Sequence, residues 1–405
     1  MERLIQENDL SNQDNLVVGQ AILIVYPKEL YTVQEGDSLQ SIAESHDITV
    51  LQLLRNNPFL VGREVIYPGE TLVISYSDDK SASISVNGYV YPYIERGILE
   101  KNLLYLTYLS IYHYTILENG ELSNIDDTEL IALAKAYGVA PIMVLSYLTE
   151  EVSIDNERLY NLLINRDMQD ELIDNILSVL KAKGYYGMDF DSPYISAENW
   201  PLYLELVSKV TERLNREGFK VFATLTPNSF QINEGTYTEI SDNLRLGQIT
   251  DGVILLAYAW GQASGIPIEV IPTALFEALL EYALTQIPPE KLTFGISSIG
   301  YIWHLPYVEG VSRANSISNT NAIQLASDAG AQINYSQYNL ASYFYIFDDD
   351  NYLVYFHDIR SVDASIQTVV RHGLKGVGIW NIMYFQAQTF LLINSQYMIN
   401  TVLNT

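Results

Sequence analysis

The sequence predicts an α/β protein: a TIM (β/α)8 barrel with a small α+β insertion between its seventh and eighth strands, preceded by small βααβ modules. Two observations lead to this prediction. From residue 84 onward, apolar strand-like runs alternate with longer helical patterns, which is typical of a parallel sheet. Before that point, one pattern occurs twice with an offset of about 50 residues. At 405 residues and 48% hydrophobic content, the chain is long enough for two or three domains.

The repeat occupies the N-terminal part of the chain. Leu4–Asn8 and Leu16–Ile24 recur as Leu53–Asn57 and Ile66–Ile74, with a slip of one residue between the two pieces. The first copy, residues 1–26, lacks an opening strand and a first helix. We therefore expect this copy to form only the C-terminal half of a module.

The second copy, residues 29–76, contains a whole module. Tyr31–Val33 predicts the opening strand, and Ser38 is placed to cap a first helix. A second helix around Leu51–Asn56 and a closing strand around Thr71–Ile74 complete the unit. The sequence therefore predicts the order βααβ.

This second copy reads YTVQEGDSLQSIAESHDITVLQLLRNNP and then IYPGETLVI, and it resembles a LysM module. The resemblance implies binding of glycans that contain N-acetylglucosamine, in a shallow groove between the turn after the first strand and the loop after the second helix. The implied contacts are Gly36, Asp37, Ser38, Asn57 and Pro58. Alternatively, Gly36, Asp37 and Asn57 serve only as turn and cap residues.

Eight strands are predicted in the barrel region, residues 84–405. They are Ser85–Tyr91, Tyr105–Tyr114, Ala140–Tyr147, Gly187–Asp191, Lys220–Thr226, Gly252–Tyr258, Leu292–Ile299 and Gly376–Ile382. This number and spacing match a (β/α)8 barrel with one insertion, at about residues 305–358. Within the insertion, Ala322–Ala329 predicts a helix, and YFYIFDDDNYLVYFHD predicts a hairpin turned by Asp348–Asn351.

Two carboxylates end the fourth predicted strand. In a barrel of this kind, catalytic residues lie at the carboxyl ends of the strands. Strand alternation points Asp189 and Asp191 to the same side, into the barrel. Because two carboxylates so close cannot both ionise cheaply, one should take up a proton or accept hydrogen bonds. The alternative is a pair of polar residues that simply face water at a strand end.

The fourth strand resembles the motif Asp-x-x-Asp-x-Asp-x-Glu of glycoside hydrolase family 18. The sixth strand, ending LLAYAW, and the eighth, GVGIW, resemble the same family. The resemblance implies that Tyr258 helps to hold the acetamido group of the substrate and that Trp380 forms the floor of the binding pocket. It also implies substrate contacts for Trp260, Tyr301 and Asp358. The segments around Tyr301 and Asp358 resemble the spore-associated branch, which joins LysM repeats to this barrel.

The sequence departs from the family motif at its most important positions. Pro193 occupies the place of the glutamate acid, and Tyr186 that of the first aspartate. The resemblance implies substrate-assisted chemistry, in which the acetamido oxygen attacks the anomeric carbon, the glutamate protonates the leaving oxygen, and Asp191 orients the acetamido group. Proline has no proton to donate, and loss of a general acid typically slows such a reaction about 10²–10⁴-fold.

Three functions are compatible with these residues. The first is a binder in which LysM repeat and barrel hold peptidoglycan, cortex or chitin-like glycan, favoured by Pro193 and Ala259 beside retained aromatic residues. The second is an active N-acetylglucosaminidase or cortex-fragment lytic enzyme with a replacement acid, for which Glu198, His357 and Asp358 are candidates, together with a protonated Asp191. The third is a structural spore-layer protein whose barrel has no ligand.

Composition excludes several other classes of protein. A net charge of −27 argues against nucleic acids and anionic membranes as partners, because both require Lys and Arg to neutralise phosphate. The chain has no cysteine and 5 scattered histidines, so we expect no disulfide, metal site or cofactor. The first residues, MERLIQENDLSNQDN, are too polar for a signal peptide. The resemblance to LysM modules and to the spore-associated branch implies association with the bacterial spore or cell wall.

Overall fold

The computed structural model describes the chain in segments. These are residues 2–8, 10, 16–63, 65–77, 80–146, 156–191, 198–225, 245–256, 273–308, 311–347 and 351–403. Along them, a small N-terminal part that contains both copies of the repeat is followed by a parallel barrel with one inserted sheet. The fold class predicted from the sequence is therefore confirmed.

The first copy of the repeat forms helix α1 (Glu2–Glu7) and an irregular segment that follows it. The buried side chain of Asn8 joins the two, since its amide donates to the carbonyl oxygens of Leu4 (3.0 Å) and Leu23 (2.9 Å). Its own oxygen accepts the backbone N–H of Leu23 at 2.7 Å. One side chain thus holds this segment to the helix.

The second copy folds in the predicted order βααβ. Its elements are β1 (Glu29–Thr32), α2 (Leu39–Ser45), α3 (Val50–Asn56) and β2 (Thr71–Ser75). The two strands pair antiparallel. Both helices begin with a capping box. The side chains of Ser38 and Thr49 each accept a backbone N–H from the first turn, and a side chain of that turn accepts the backbone N–H of the cap residue.

The second copy is joined to the barrel by direct hydrogen bonds. The Arg55 guanidinium donates to the carbonyl of Leu104 at 2.6 Å, and the Tyr105 hydroxyl donates to the carbonyl of Arg55 at 2.5 Å. Asn394 donates to the side-chain oxygen of Asn56 at 2.8 Å. Since these bonds come from two separate regions of the barrel domain, the junction restricts how the second copy can rotate on it.

Residues 77–83, between the second copy and the barrel, form a polar stretch, of which the structure describes residue 77 and residues 80–83. The first barrel strand, β3 (Ala82–Val90), begins within it. Before the strand, Lys80 donates to the carbonyl of Asn394, and the Ser81 N–H donates to that of Gln396 at 2.9 Å. Both carbonyls belong to the helix Ala387–Gln396, so residues 80 and 81 are bonded to a helix of the same chain.

Seven parallel strands follow one another around the barrel before the insertion. They are β3, β4 (Tyr108–Thr115), β5 (Ala140–Ser146), β6 (Gly187–Asp191), β7 (Lys220–Leu225), β8 (Gly252–Leu255) and β9 (Leu292–Ser297). The helices described between them are α4 (Arg96–Leu103), α5 (Thr128–Ala136), α6 (Asn156–Ile164), α7 (Arg166–Lys183), α8 (Trp200–Arg216), α9 (Leu246–Ile249) and α10 (Thr273–Leu284).

The insertion is an antiparallel sheet with one helix. Its elements are β10 (Ile299–Leu305), β11 (Asn315–Ser318), α11 (Asn319–Asp328), β12 (Asn334–Ser336), β13 (Ala341–Phe347) and β14 (Asn351–Phe356). The order across the sheet is β11, β10, β14, β13, β12, so β13 and β14 form the predicted hairpin. The inserted sheet begins at Ile299, earlier than the predicted start at 305, because β10 pairs with β14 rather than ending a barrel strand.

The eighth barrel strand, β15 (Gly376–Trp380), pairs in parallel with both β9 and β3 and so closes the barrel. Helix α12 (Ile359–Arg371) precedes it, and α13 (Ala387–Gln396) and β16 (Tyr397–Ile399) follow. Strand β16 pairs with the start of β3. Among the described residues, no helix combines the length and apolar character needed to cross a bilayer.

Alternation along the strands creates two different cores. Outward-facing residues such as Leu109, Met143 and Phe190 pack in one large apolar cluster with the helices. Inward-facing residues form a second cluster that is rich in aromatic rings, including Tyr89 and Tyr112. The interior of the barrel is therefore lined by groups that combine an apolar ring with a polar hydroxyl.

Candidate functional site

Asp189 is fully buried inside the barrel. Its Oδ2 accepts hydrogen bonds from the hydroxyls of Tyr89 (2.7 Å) and Thr224 (2.8 Å). Its Oδ1 is buried without a hydrogen-bond partner among the residues that the structure describes. Burial raises the pKa of Asp189 to about 7, against the two hydrogen bonds, which lower it. Near neutral pH this carboxyl therefore exists in both protonation states.

Asp191 lies two residues further along β6 and is only half-buried. Its Oδ2 accepts hydrogen bonds from the Tyr112 hydroxyl at 2.8 Å and from the Ser146 hydroxyl at 3.1 Å. Burial raises the pKa of this carboxyl, and the two hydrogen bonds oppose the rise. Both aspartates thus point into the barrel, in agreement with the expectation from strand alternation. Their donors come from the two adjacent strands, β5 and β7, and from β3 and β4 further around the barrel.

Trp380, the last residue of β15, lies against the aromatic residues that hold both aspartates. Its ring centroid is 5.4 Å from that of Tyr89 and 5.0 Å from that of Tyr112, and its side chain is half-buried. Since each tyrosine bonds to one aspartate, the three rings form one wall beside the carboxyl pair. This arrangement can present a flat apolar face next to hydrogen-bonding oxygens.

The sequence analysis missed four residues of this site: Tyr89, Tyr112, Ser146 and Thr224. Each lies on a predicted barrel strand, close to its carboxyl end. Alternation from Asp189 would have placed residues at matching positions of neighbouring strands on the inner face. The usable signal was therefore the register between strands rather than any local motif.

Several predicted site residues lie outside the described part of the chain. These are Pro193, Tyr258 and Trp260, together with Ala259. The roles that the resemblance implies for them stay predictions. Glu198 is described: it is exposed and lies two residues before the helix Trp200–Arg216, and its role as a replacement acid stays a prediction.

Tyr301 and Asp358 belong to the insertion and to the helix that follows it. Tyr301 lies on β10 opposite Tyr355 and is half-buried, and burial raises its pKa. The buried Asp358 is the N-cap of α12, and it accepts from the Ser342 hydroxyl at 2.6 Å and pairs with the Arg360 guanidinium at 2.6 Å. These contacts give Asp358 a structural role, and its predicted contact with substrate stays a prediction.

The predicted glycan-binding turn of the second copy is well ordered by its own contacts. Asp37 Oδ2 accepts the Tyr31 hydroxyl at 2.8 Å and the Gln34 N–H at 2.7 Å. Gly36 has a φ of +89°, a backbone conformation that residues other than glycine rarely adopt. Together with the helix cap at Ser38, these features fix the shape of the turn.

On the other side of the predicted groove, Asn57 is almost fully buried. Its amide donates to the carbonyls of Leu53 (2.9 Å) and Val73 (2.8 Å), and its oxygen accepts the Val73 N–H at 2.8 Å. Pro58 then begins a short 3-10 turn, Pro58–Leu60. These bonds favour the alternative reading of Asn57 as a structural residue, and glycan contact by this loop stays a prediction.

Comparisons with known proteins identify relatives of the whole chain. The family model of glycosyl hydrolases family 18 matches residues 152–384, and the LysM domain model matches residues 31–75. The cortical fragment-lytic enzyme of Bacillus subtilis (strain 168) is 28% identical over 296 residues, which cover 72% of this chain and 68% of that one.

Two crystal structures resemble the chain along nearly its whole length. The spore cortex-lytic enzyme SleL of Bacillus megaterium QM B1551 is 27% identical, with a TM-score of 0.79, over 99% of this chain and 94% of that one. SleL of Bacillus cereus is 26% identical, also with a TM-score of 0.79, over 99% of this chain and 93% of that one. Because the family model spans more than half of the sequence, the chain belongs to glycosyl hydrolases family 18, and it carries a LysM domain.

Proposed function

We propose that this protein binds glycan containing N-acetylglucosamine, such as spore cortex or other peptidoglycan, with its LysM domain and its barrel, and that the barrel hydrolyses this glycan poorly. The observation that carries the proposal is a retained carboxyl pair, Asp189 and Asp191, followed by Pro193 at the position of the acid. Relatives named for lysis of spore cortex support cortex glycan as the ligand and the spore as the location.

Binding is supported by the chemistry of the aspartate pocket. Asp191 is held through Oδ2 by Tyr112 and Ser146, which leaves its orientation fixed before a ligand arrives. A carboxylate so held is a suitable acceptor for the N–H of an acetamido group. Beside it, Trp380 offers a half-buried ring for the apolar face of a sugar. Such a site combines an apolar wall with a few fixed polar groups, as small-molecule sites generally do.

Poor hydrolysis is supported by the state of the other acids. Asp189 holds a proton part of the time near neutral pH, but its side chain is fully buried and is bonded to Tyr89 and Thr224. Burial lowers the pKa of His357 to about 4, so this histidine has no proton to donate at neutral pH. Asp358 is paired with Arg360. These three residues are therefore poor replacements for the missing glutamate.

An active cortex-fragment lytic enzyme is the second candidate. Its support is the kinship with lytic enzymes along the chain, and it requires Glu198 or a protonated Asp191 as the acid.

The experiment that separates the two is mass spectrometry of purified cortex fragments after incubation with the wild type, with Pro193→Glu and with Pro193→Gln. The glutamine variant matches glutamate in size but has no acidic proton. We expect product from Pro193→Glu only. Product from the wild type would overturn the proposal of poor hydrolysis and favour the lytic enzyme. Absence of both product and binding would instead leave a structural spore-layer protein.

A further inference from the structure

We infer that the cavity between the first copy of the repeat, helix α11 of the insertion and the start of α13 is a binding site for a small neutral polyol. This cavity, the α11 pocket, has a volume of about 100 Å³. Asp189, Asp191 and Trp380 do not line it, so it is separate from the aspartate pocket. The inference is therefore independent of the proposed function.

Three separate parts of the chain supply polar side chains to the α11 pocket. They are Asn8 and Gln20 from the first copy, Asn319, Thr320 and Ser327 from α11, and Gln388 from α13. The Gln388 amide donates to Asn8 Oδ1 at 2.8 Å and to the Ala21 carbonyl at 3.0 Å. These two bonds hold α13 against the first copy, so polar groups that are distant in sequence face one cavity.

The first copy and the insertion are held at a fixed distance from each other. The Ile333 N–H donates to the Val18 carbonyl at 2.9 Å, and the Arg360 guanidinium donates to the Gly19 carbonyl at 3.1 Å. A Cβ added at Gly19 would lie 1.8 Å from the carbonyl oxygen of Ile333, so the two backbones are as close as glycine permits. Because these contacts hold the walls before a ligand arrives, binding requires little ordering of the protein.

The α11 pocket carries almost no charge. Among the described residues that line it, none is lysine or arginine, and Asp358 is the one acid. Asp358 already pairs with Arg360 at 2.6 Å. Burial lowers the pKa of His357, also a lining residue, to about 4, so its imidazole is neutral at neutral pH. A charged ligand would lose its hydration there without gaining a counter-charge, which favours a neutral ligand.

The polar groups of the α11 pocket are amides and hydroxyls. A side-chain amide offers both donors and an acceptor, so the hydroxyl of a ligand can bond to either end of it. In Asn319, Nδ2 donates to the His357 carbonyl at 2.6 Å, and the buried Oδ1 has no partner among the described residues. A ligand hydroxyl would supply the missing donor. Phe356 and Phe385 complete the lining with rings against which the C–H groups of a polyol can pack.

The volume of the α11 pocket limits the size of its ligand. An apolar cavity of about 150 Å³ holds benzene. A volume of about 100 Å³ therefore suits a chain of about three to four carbons with its hydroxyls. Neighbouring hydroxyls on such a chain occur both in free glycerol and on the terminal sugar of a glycan, so the two sources share one chemistry.

Hydrogen exchange of the full chain tests the inference, because two matched amides report on the pocket and on a distant site. The Leu23 N–H bonds to Asn8 in the pocket wall, and the Val73 N–H makes the equivalent bond to Asn57 in the second copy. Glycerol at about ten times its dissociation constant should protect Leu23 about tenfold and leave Val73 unchanged. Polyols also stabilise proteins by exclusion from their surface, which would act on both amides alike. Equal protection of both amides by glycerol would therefore overturn the inference.

Two variants locate the ligand. Ser327→Leu fills the pocket and should abolish the protection of Leu23. Thr320→Val keeps the shape of the side chain but removes a hydroxyl, and it should weaken binding about fivefold. Asn321→Leu, at an exposed position of α11 that does not line the pocket, is the matched control and should behave like the wild type. Protection that persists unchanged in both Ser327→Leu and Thr320→Val would overturn the inference.

N-acetylglucosamine and its longer oligomers distinguish the two sources of the ligand. Protection of Leu23 by glycerol but not by the sugars would identify a free polyol. Protection by the sugars in the wild type, lost in Ser327→Leu, would identify the terminal sugar of a glycan. If neither glycerol nor the sugars protect Leu23, the inference is wrong. The aspartate pocket takes no part in these measurements, so a failure of the proposed function would be seen separately.

Discussion

Asn8 and Asn57 make the same three hydrogen bonds in the two copies of the repeat. Each amide donates to the carbonyl four residues earlier and to the carbonyl of a residue in the closing segment, Leu23 or Val73, and each accepts the N–H of that same residue. In the first copy, Gln388 of α13 adds a further bond to Asn8 at 2.8 Å. The repeat found by sequence comparison therefore corresponds to a repeated structural contact.

This contact predicts a large loss of stability on removing the Asn57 side chain. Asn57→Ala leaves the Val73 N–H and two carbonyls without their buried partner, at a cost of about 1–3 kcal/mol for each group that water cannot reach. We expect hydrogen exchange at the Val73 amide to rise at least about 30-fold, which corresponds to about 2 kcal/mol. Asn334→Ala, at an exposed position in the insertion, is the control. Unchanged exchange at Val73 would contradict the assigned role.

Asp189 should make stability depend on pH. Its pKa of about 7 in the folded chain lies above the ordinary value of 3.8, so the folded state binds more protons between these two values. Stability should therefore fall as the pH rises from about 4 to about 7, by about 1.4 kcal/mol for each unit of pKa difference at most. Asp189→Asn should flatten this slope, since asparagine stays neutral. Denaturation at several pH values, with the exposed Asp328→Asn as control, measures it; identical slopes would refute the assignment.

Tyr112 should matter for ligand binding more than for folding. Tyr112→Phe keeps the ring beside Trp380 but removes the donor to Asp191, which frees the carboxyl and raises its pKa further. We expect affinity for long N-acetylglucosamine oligomers to fall about fivefold, because one such hydrogen bond is worth about 1 kcal/mol. Titration calorimetry checks this, with Tyr160→Phe as the control. Full affinity in Tyr112→Phe would mean that Asp191 does not contact the ligand.

Arg360 links the insertion to the first copy of the repeat. It pairs with Asp358 and donates to the Gly19 carbonyl at 3.1 Å, next to the bond from the Ile333 N–H to the Val18 carbonyl at 2.9 Å. Arg360→Gln should therefore speed hydrogen exchange at Ile333 about tenfold. Glycan affinity should stay the same, because the role of Asp358 in these contacts is structural. A clear loss of affinity would support the predicted substrate contact of Asp358 instead.

The sequence was sufficient to predict the barrel, the LysM domain and the inward direction of the two aspartates, because these follow from periodicity, a repeat and strand alternation. It was insufficient for the groups that hold the aspartates. Tyr89 and Tyr112 sit in strands rich in apolar and aromatic residues, where inner and outer faces look alike until the strands are aligned. The buried amide of Asn57 was equally hidden, since a loop asparagine is usually exposed.

The bonds that Arg55 and Tyr105 make across the junction have a consequence for multivalent binding. Two sites on a flexible tether can meet a polymer at many separations, whereas two sites on a stiff frame can meet it at only one. A glycan strand that reaches both the LysM domain and the barrel would bind with an avidity set by its fit to that separation. The protein would then bind most tightly those glycan strands whose length and curvature match the fixed distance between the two sites.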